Sequence, residues 1–331
     1  MKLFKRVALI LTLTGLLMIA SVPSICAATV KMPERPIQVG YFGSACEAYI
    51  YAAELLGLYE KNGFKIDLIR VDNAIARDGI ASGKLDVTEG ILQTWLKPVE
   101  QGLDLRFTLG MHQGCSSIVI KSDEPYKTLA DLKGKIVGVQ QPFGAGGHNY
   151  AIRAFIAAGV DPTKDVEWRA FETGALGVAL DKGEVAAISV GDTTSVERVS
   201  NGEWKYIHSM ATAEELKDEV CCLLAMNPKF IRDYPDAARL FTKVIYDATI
   251  YTQSHVEEVI RYVFKKQYLS GTLENNIAVA KTYPYIPGTE SAVRSFENSF
   301  RDYQKAGIID QNVDLQKVLD RSFVIFDGIE D

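Results

Sequence analysis

The sequence predicts a two-lobe α/β protein. Short β-branched runs alternate with helical patterns from Ile37 to about Met226, the pattern of largely parallel sheets with crossover helices. From Asn227 onward the chain changes to long amphipathic segments with no strand signal of equal weight. The chain has 331 residues, more than one compact core usually serves, so two lobes are expected.

The elements follow in order. Lys2, Lys5 and Arg6 precede an apolar run, Val7 to Val22, and then Pro23-Ser24 and Cys26-Ala27-Ala28. These three parts make residues 1–28 a signal peptide cleaved after Ala28. The apolar run falls short of the ~20 residues a spanning helix needs. Lipidation on Cys26 is the alternative, but Ile25 is bulky where a lipobox wants a small residue. Ile37 to Tyr41 is the first strand, and Cys46 to Tyr59 a helix. Phe64 to Val71 is a strand, Asn73 caps a helix that Gly83 ends, and Leu85 to Thr88 is a third strand. Leu105 to Met111 and Ser117 to Lys121 continue the alternation.

A second unit opens with the capping-box-like Thr128-Leu129-Ala130-Asp131. Its strands are Ile136 to Val139, Val166 to Phe171, Ala186 to Val190 and Trp204 to His208, with a helix from His148 to Ala158. An internal echo supports two related lobes: Gly79 to Val87 resembles Ala179 to Ala187, each a helix ending near Gly, a tight turn and a short strand. Asn227-Pro228 starts the last part, with helices over Asp236–Ser254, Val256–Tyr268, Glu290–Ala306 and Leu315–Arg321. The organisation is therefore a first lobe over 29–120, a second over 121–222, and a helical segment over 223–331 that returns to the first. Extended connectors near Ser117–Asp123 and Glu219–Ala225 would join the lobes and suit a hinge.

Charge narrows the function. The net charge is −6, and removing three basic residues with the leader takes it to −9. That balance excludes nucleic acid and an anionic membrane surface as partners. Beyond the leader four cysteines remain: Cys46, Cys115, Cys221 and Cys222. An oxidising compartment permits disulfides, and four cysteines allow three pairings among which sequence does not choose. Cys221-Cys222 sits in an apolar run, and the C-x-x-C spacing of a zinc or redox site is missing, so neither metal nor cofactor is expected. Nucleophile-elbow, zinc-protease and phosphate-loop motifs are absent.

Loops at the C-terminal ends of strands are where open α/β sheets bind ligands. Phe42 to Glu47 is the first, with Ser44 and Cys46; Glu89-Gly90 with Gln93 is the second. Gly114-Cys115 and Gly191-Asp192 are two more. Between them Phe143-Gly144-Ala145-Gly146-Gly147-His148 joins a strand to a helix. Its glycines miss a dinucleotide fingerprint, because Asn149 stands where the last one belongs. They let backbone approach a ligand, and a helix start offers free N–H groups to an anion; the plainer reading is a turn needing positive φ. Arg77, on a helix at the rim, is a candidate partner for an anion or a solvated helix residue.

These blocks resemble one family. Gly40-Tyr41-Phe42, Ala52 to Phe64, Ala81 to Val87, Leu129 to Val139 and Asn227-Pro228-Lys229-Phe230, in this order, look like the NitT/TauT substrate-binding proteins of importers for nitrate, sulfonates, taurine and thiamine precursors. The resemblance covers nearly the whole mature chain. It implies a type II periplasmic-binding fold, a small-molecule ligand in the interlobe cleft, a membrane permease and an ATPase as partners, export to the periplasm, a monomer, and no catalysis. It places ligand contacts around Ser44 and Cys46, at Glu89-Gly90, Gly114-Cys115, Gly144 to His148 and Gly191-Asp192. Cys46 and Cys115 would face each other across the cleft floor, as thiols or as a disulfide. Glu89 and the two cysteines favour a small organic ligand, anionic or zwitterionic and sulfonate- or taurine-like, over nitrate, and leave room for one bearing an amine. The weighed alternatives are a binder of a thiamine-pyrimidine precursor and a desulfinase-like enzyme using Cys46 beside Arg77.

Overall fold

Period-two apolar runs fold into two five-stranded sheets in a computed structural model that describes residues 30–329, except Pro142 and Lys217. The expected signal peptide and Cys26 lie outside the described residues. The first sheet takes β1 (Ile37–Tyr41), β2 (Ile66–Arg70), β3 (Val87–Ile91) and β4 (Arg106–Gln113). The chain then crosses to the second sheet through β5 (Ser116–Lys121), β6 (Ile136–Gln140), β7 (Glu167–Phe171), β8 (Ala187–Gly191) and β9 (Trp204–Ser209). It returns through β10 (Val220–Met226). Spatial orders are β2-β1-β3-β10-β4 and β7-β6-β8-β5-β9.

The two orders are one topology. In each sheet four strands run in one direction, and the strand in fourth position, antiparallel to both its neighbours, is the one delivered by a crossing. β10 wedges between β3 and β4, and all seven of its residues are buried. A strand buried on both faces reads as a continuous apolar run, which is why Val220 to Met226 shows no alternation. Both segments expected to be strand-like connectors are thus ladder strands. The crossings are the short Gly114-Cys115 step and the stretch between Ser209 and Val220.

Helices join the strands: α1 (Ala48–Leu55), α2 (Leu58–Lys61), α3 (Asn73–Ser82), α4 (Leu92–Glu100), α5 (Gly146–Ala157), α6 (Thr173–Asp181) and α7 (Asp192–Ser200). The last part is helical: α8 (Pro228–Asp233), α9 (Pro235–Lys265), α10 (Leu273–Ala280), α11 (Glu290–Lys305) and α12 (Leu315–Ser322). The echoed segments α3–β3 and α6–β8 occupy equivalent places in the two sheets. The helix expected from Cys46 to Tyr59 is broken, because Gly57 takes a left-handed conformation between α1 and α2. Asp72, not Asn73, caps α3, accepting from the Ile75 amide. Asn227 caps α8 as its position before Pro228 requires. α9 is kinked at His255, on the boundary between the two helices read from the sequence. α10, capped by Thr272, has no counterpart in that reading.

The C-terminal helices complete the first sheet. Phe296, Phe300 and Tyr303 of α11 and Val318 and Leu319 of α12 share a core with Leu92, Trp95 and Phe107. The free edge of β4 is covered by the same segment: Gly110 and Gly288 exchange backbone hydrogen bonds, and the Val324 amide donates to Phe107. Covering an edge removes a template for strand addition.

One buried charge network ties the halves. Arg153 on α5 forks onto Glu219, at the end of the return crossing, and its Nε donates to Asp302 on α11 at 3.0 Å. Asn298 donates to the same Glu219. The guanidinium is 3% exposed, so removing it strands the buried Glu219 carboxylate in a low-dielectric site and leaves Asp302 to Lys305. Arg153→Ala should therefore lower unfolding stability by about 3–5 kcal/mol in a urea titration. A loss below about 1 kcal/mol, the worth of an exposed pair, would remove the network from this role.

Candidate ligand-binding cleft

A cavity of about 330 Å³ opens between the sheets, in the size range of small-molecule sites. Its wall is made of element starts. Ser44 and Cys46 come from the 3₁₀ turn after β1, Asp72 and Asn73 from the start of α3, and Gly90 and Ile91 from the entry to α4. From the second sheet come Gly146 and Gly147 at the start of α5, and Gly191, Asp192 and Thr193 at the start of α7. Helix N-termini from both sheets thus meet at one space. Each carries unpaired N–H groups and a partial positive charge.

The side chains do the opposite. No lysine or arginine among the described residues lines the cavity, while Asp72, Glu89 and Asp192 do. Burial pushes the Asp192 carboxyl up to about 6. Its Oδ1 is buried without a hydrogen-bond partner among the described residues, as is the Ser116 hydroxyl on the same wall. Glu47 lies beneath the floor, accepting from the Phe42, Gly43 and Ser44 amides at 2.7, 2.7 and 2.8 Å. Even so, burial raises it to about 7. Glu89 is a strand residue opposite Leu224, not a loop residue, and it takes the Tyr49 hydroxyl at 3.3 Å. Burial, with Glu47 beside it, holds the Glu89 carboxyl well above the usual carboxylate range. Glu89 thus favours its neutral form, which weakens the objection its charge raised to an anionic ligand.

Of the residues singled out in the sequence, Phe42, Ser44, Cys46, Glu89, Gly90, Cys115, Gly146, Gly147, Gly191 and Asp192 come together on this wall. Others do not. Arg77 sits on the exposed part of α3 and pairs with Asp78 at 3.4 Å. It is not on the wall, so the Cys46–Arg77 arrangement of a desulfinase-like site is not formed. Gln93 is buried on α4 behind the wall, and Gly114 packs on Ala211. Phe143, Gly144, Ala145 and His148 do not line the cavity: Phe143 is exposed and Ala145 is buried in the fold. His148 faces Trp168 and Phe143, and its Nδ1 accepts from the Gly144 amide at 2.9 Å.

The glycines divide by cause. Gly144 has φ +90° with open space around it, so it meets the plain turn requirement. Gly146 and Gly147 are helical: a Cβ on Gly146 would meet Ile91 of the opposite half at 2.4 Å, and one on Gly147 the Ser189 carbonyl oxygen at 2.8 Å. Small size there lets α5 begin at the cavity.

The structure chooses among the pairings that the sequence leaves open. Cys115 is bonded to Cys221, not to Cys46. Cys115 also has φ +102°, rare for a residue with a side chain. Cys46 and Cys222 are free and buried. Hydrogen bonding from Cys222 holds the Cys46 thiol well below its ordinary value, against the burial that raises it. Val71, Asp72, Asn73, Ile91, Ser116, Gln140, Thr193, Cys222 and Tyr283 complete the wall. Thr193 belongs to the loop begun by Gly191-Asp192, and Asp72 could have been found as a helix-start residue; Tyr283 comes from a distant loop, and nothing local marks it.

The model of the NMT1-like family matches residues 30–265. The chain belongs to the NMT1-like family. No curated protein matches the sequence. Among solved structures, the alkanesulfonate-binding protein SsuA of Xanthomonas axonopodis pv. citri bound to MOPS aligns with TM-score 0.73 at 13% identity, over 89% of this chain and 100% of that one. The periplasmic nitrate-binding protein NrtA of Synechocystis PCC 6803 aligns with TM-score 0.74 at 14% identity, over 88% and 87%. The periplasmic aliphatic sulphonate-binding protein SsuA of Escherichia coli aligns with TM-score 0.72 at 17% identity, over 86% and 97%. This NMT1-like chain therefore has the two-lobe periplasmic-binding fold, and the family resemblance read from its blocks is borne out. No helix among its described residues is long and apolar enough to cross a membrane.

Two outcomes follow from the glycine loop. Gly147→Ala must move α5 or β8 and should cost about 1–3 kcal/mol in thermal unfolding; an unchanged Tm would show that the contact yields freely. Burial depresses His148 to about 4, so its neutral ring contributes stability above the ordinary histidine value of about 6.5. That contribution is lost as pH falls from about 6.5 towards 4, by roughly 1–3 kcal/mol. His148→Gln should flatten this acid limb; an identical limb in the variant would exclude the ring as its source.

Proposed function

We propose that this protein is the extracytoplasmic solute-binding component of an ABC importer, holding a small organic zwitterion of the amino-sulfonate, taurine-like kind in the cleft. The observation that carries the reading is the composition of the wall. Helix starts from both sheets converge on it, and no lysine or arginine among the described residues does. Backbone N–H groups at helix N-termini hold an anionic group without a basic side chain. Asp192 Oδ1 and the Ser116 hydroxyl, buried and unpaired, call for a donor on the same ligand. An ammonium answers that demand, and a charge-assisted hydrogen bond to it contributes about 1.5–3 kcal/mol. Nitrate offers no donor and would leave Asp192 unanswered. Capture followed by transfer implies a permease and an ATPase as partners and export of the chain, in line with the leader read over residues 1–28. The fold likeness to sulfonate- and nitrate-binding proteins supports this reading.

The test is calorimetric titration and thermal shift with taurine, an alkanesulfonate lacking the amine, nitrate, and an aminopyrimidine. Taurine-like ligands should raise Tm most, by the equivalent of about 2.7 kcal/mol at a hundred times Kd. Asp192→Asn should weaken the amino-sulfonate about 10–100-fold and leave the amine-free sulfonate nearly unchanged. Equal losses for both ligands would remove Asp192 as the amine's partner. Binding of the aminopyrimidine alone would replace the substrate class.

A further inference from the structure

The cleft floor holds an assembly that a zwitterion does not use. Cys46, Cys115, Cys221 and Cys222, scattered through the sequence, all end up there. Cys115 arrives on the first crossing, and Cys221 and Cys222 on β10; His112 of β4 lies opposite Cys222 in the ladder. The sulfur atoms of Cys115, Cys221 and Cys222 and a ring nitrogen of His112 lie within 4.8 Å of one another, and all four residues are buried. Three thiolates and one imidazole are the donor set of a closed tetrahedral zinc site.

His112 supplies an independent pointer. Its Nδ1 lies 3.1 Å from the Gln113 carbonyl oxygen, which can only accept. Nδ1 therefore carries the hydrogen and Nε2 a lone pair. Nε2 is buried with no hydrogen-bond partner among the described residues, and the residue is 0% exposed. A backbone carbonyl fixing one ring nitrogen while the other stays free is the arrangement of a metal-ligating histidine. A buried imidazole lone pair otherwise goes unpaired.

The Cys115–Cys221 bond occupies two of the four donors. We propose that Cys115, Cys221, Cys222 and His112 form a redox-switched zinc site, closed by the disulfide and opened by its reduction. A phosphine reductant with water balances the opening step. The S–S bond breaks, the phosphine becomes its oxide, and two thiols form. Zinc then displaces one proton from each of three thiols to solvent, and His112 gives its lone pair without losing a proton. Cys115 and Cys222 both line the cavity, so the ion enters from the cleft. The proposal does not depend on which organic ligand the cleft takes.

The mature chain is reduced anaerobically with a phosphine, freed of reductant, and titrated with Zn²⁺ against a chromogenic chelator. One Zn²⁺ per reduced chain and none per oxidised chain is expected. Cys222→Ser and His112→Ala should each weaken binding by at least the roughly 10–100-fold that loss of an outer-shell partner costs. Circular dichroism checks that each variant is folded. Should either fail to fold, Co²⁺ bound to the reduced wild-type chain gives the same answer through thiolate-to-cobalt charge transfer and tetrahedral d–d bands. Zinc binding by the oxidised chain equal to that of the reduced one overturns the proposal. So does the absence of binding after reduction, or a cobalt spectrum without thiolate bands. Taurine titration of the oxidised chain is read separately, so failure of the zinc site leaves the ligand reading standing, and the reverse.

Discussion

The protein is organised by the fact that, among the described residues, the backbone passes between the two sheets at only two places, the Gly114-Cys115 step and the stretch from Ser209 to Val220. Each passage delivers an antiparallel strand into the far sheet, β5 in one direction and β10 in the other. Those strands fill the fourth position of each sheet, so the sheets cannot be completed independently. The cavity lies between the strands so joined, and its floor takes Cys115 and Cys222 from beside the crossings themselves. Arg153, Glu219 and Asp302 then brace the second passage from outside. Polar groups of this kind are costly to desolvate and cheap only when all are satisfied. That requirement fixes how α5 and α11 meet.

Electrostatically the cleft separates two tasks that one basic residue would merge. Backbone dipoles supply diffuse positive potential, spread over several helix starts. Carboxyls supply localised demand for a proton or a cation, tempered by burial. A wall built this way discriminates by requiring both ends of a ligand to be present. An unanswered Asp192 is a penalty, and penalties reject near-isosteres more effectively than extra attractions do.

Most elements were legible because their signals are local. β1, β5 and β6 follow from β-branched runs and β10 from the unbroken apolar run Val220 to Met226, and the boundary at His255 and the Asn227-Pro228 start of α8 follow from chain punctuation. Topology was legible in outline from the alternation of strands and helices. Registers were less so: Glu89 reads as a loop residue because Gly83 and Asp86 suggest an earlier strand, and the ladder with β10 extends it to Ile91. What escaped was non-local. Nothing in the spacing of Cys46, Cys115 and Cys221-Cys222 says that they converge, since convergence depends on β10 entering the first sheet. Arg77 failed for the opposite reason, being one helical turn past the cleft-lining start of α3, where its side chain meets Asp78 and solvent. His148 was misassigned because the helix begins two residues earlier, at Gly146, which turns its ring toward Trp168.

The Cys115–Cys221 bond has a mechanical side. It joins a residue of the first crossing to the strand that ends the second. If one half rotates against the other, the rotation must pivot where the chain passes between them, because every other contact across the cleft is broken and remade. A covalent link at the pivot has almost no lever arm. It can therefore rivet the two passages together, removing twist and shear, while adding little resistance to a swing that changes the width of the mouth. The same link placed at the rim would lock the halves.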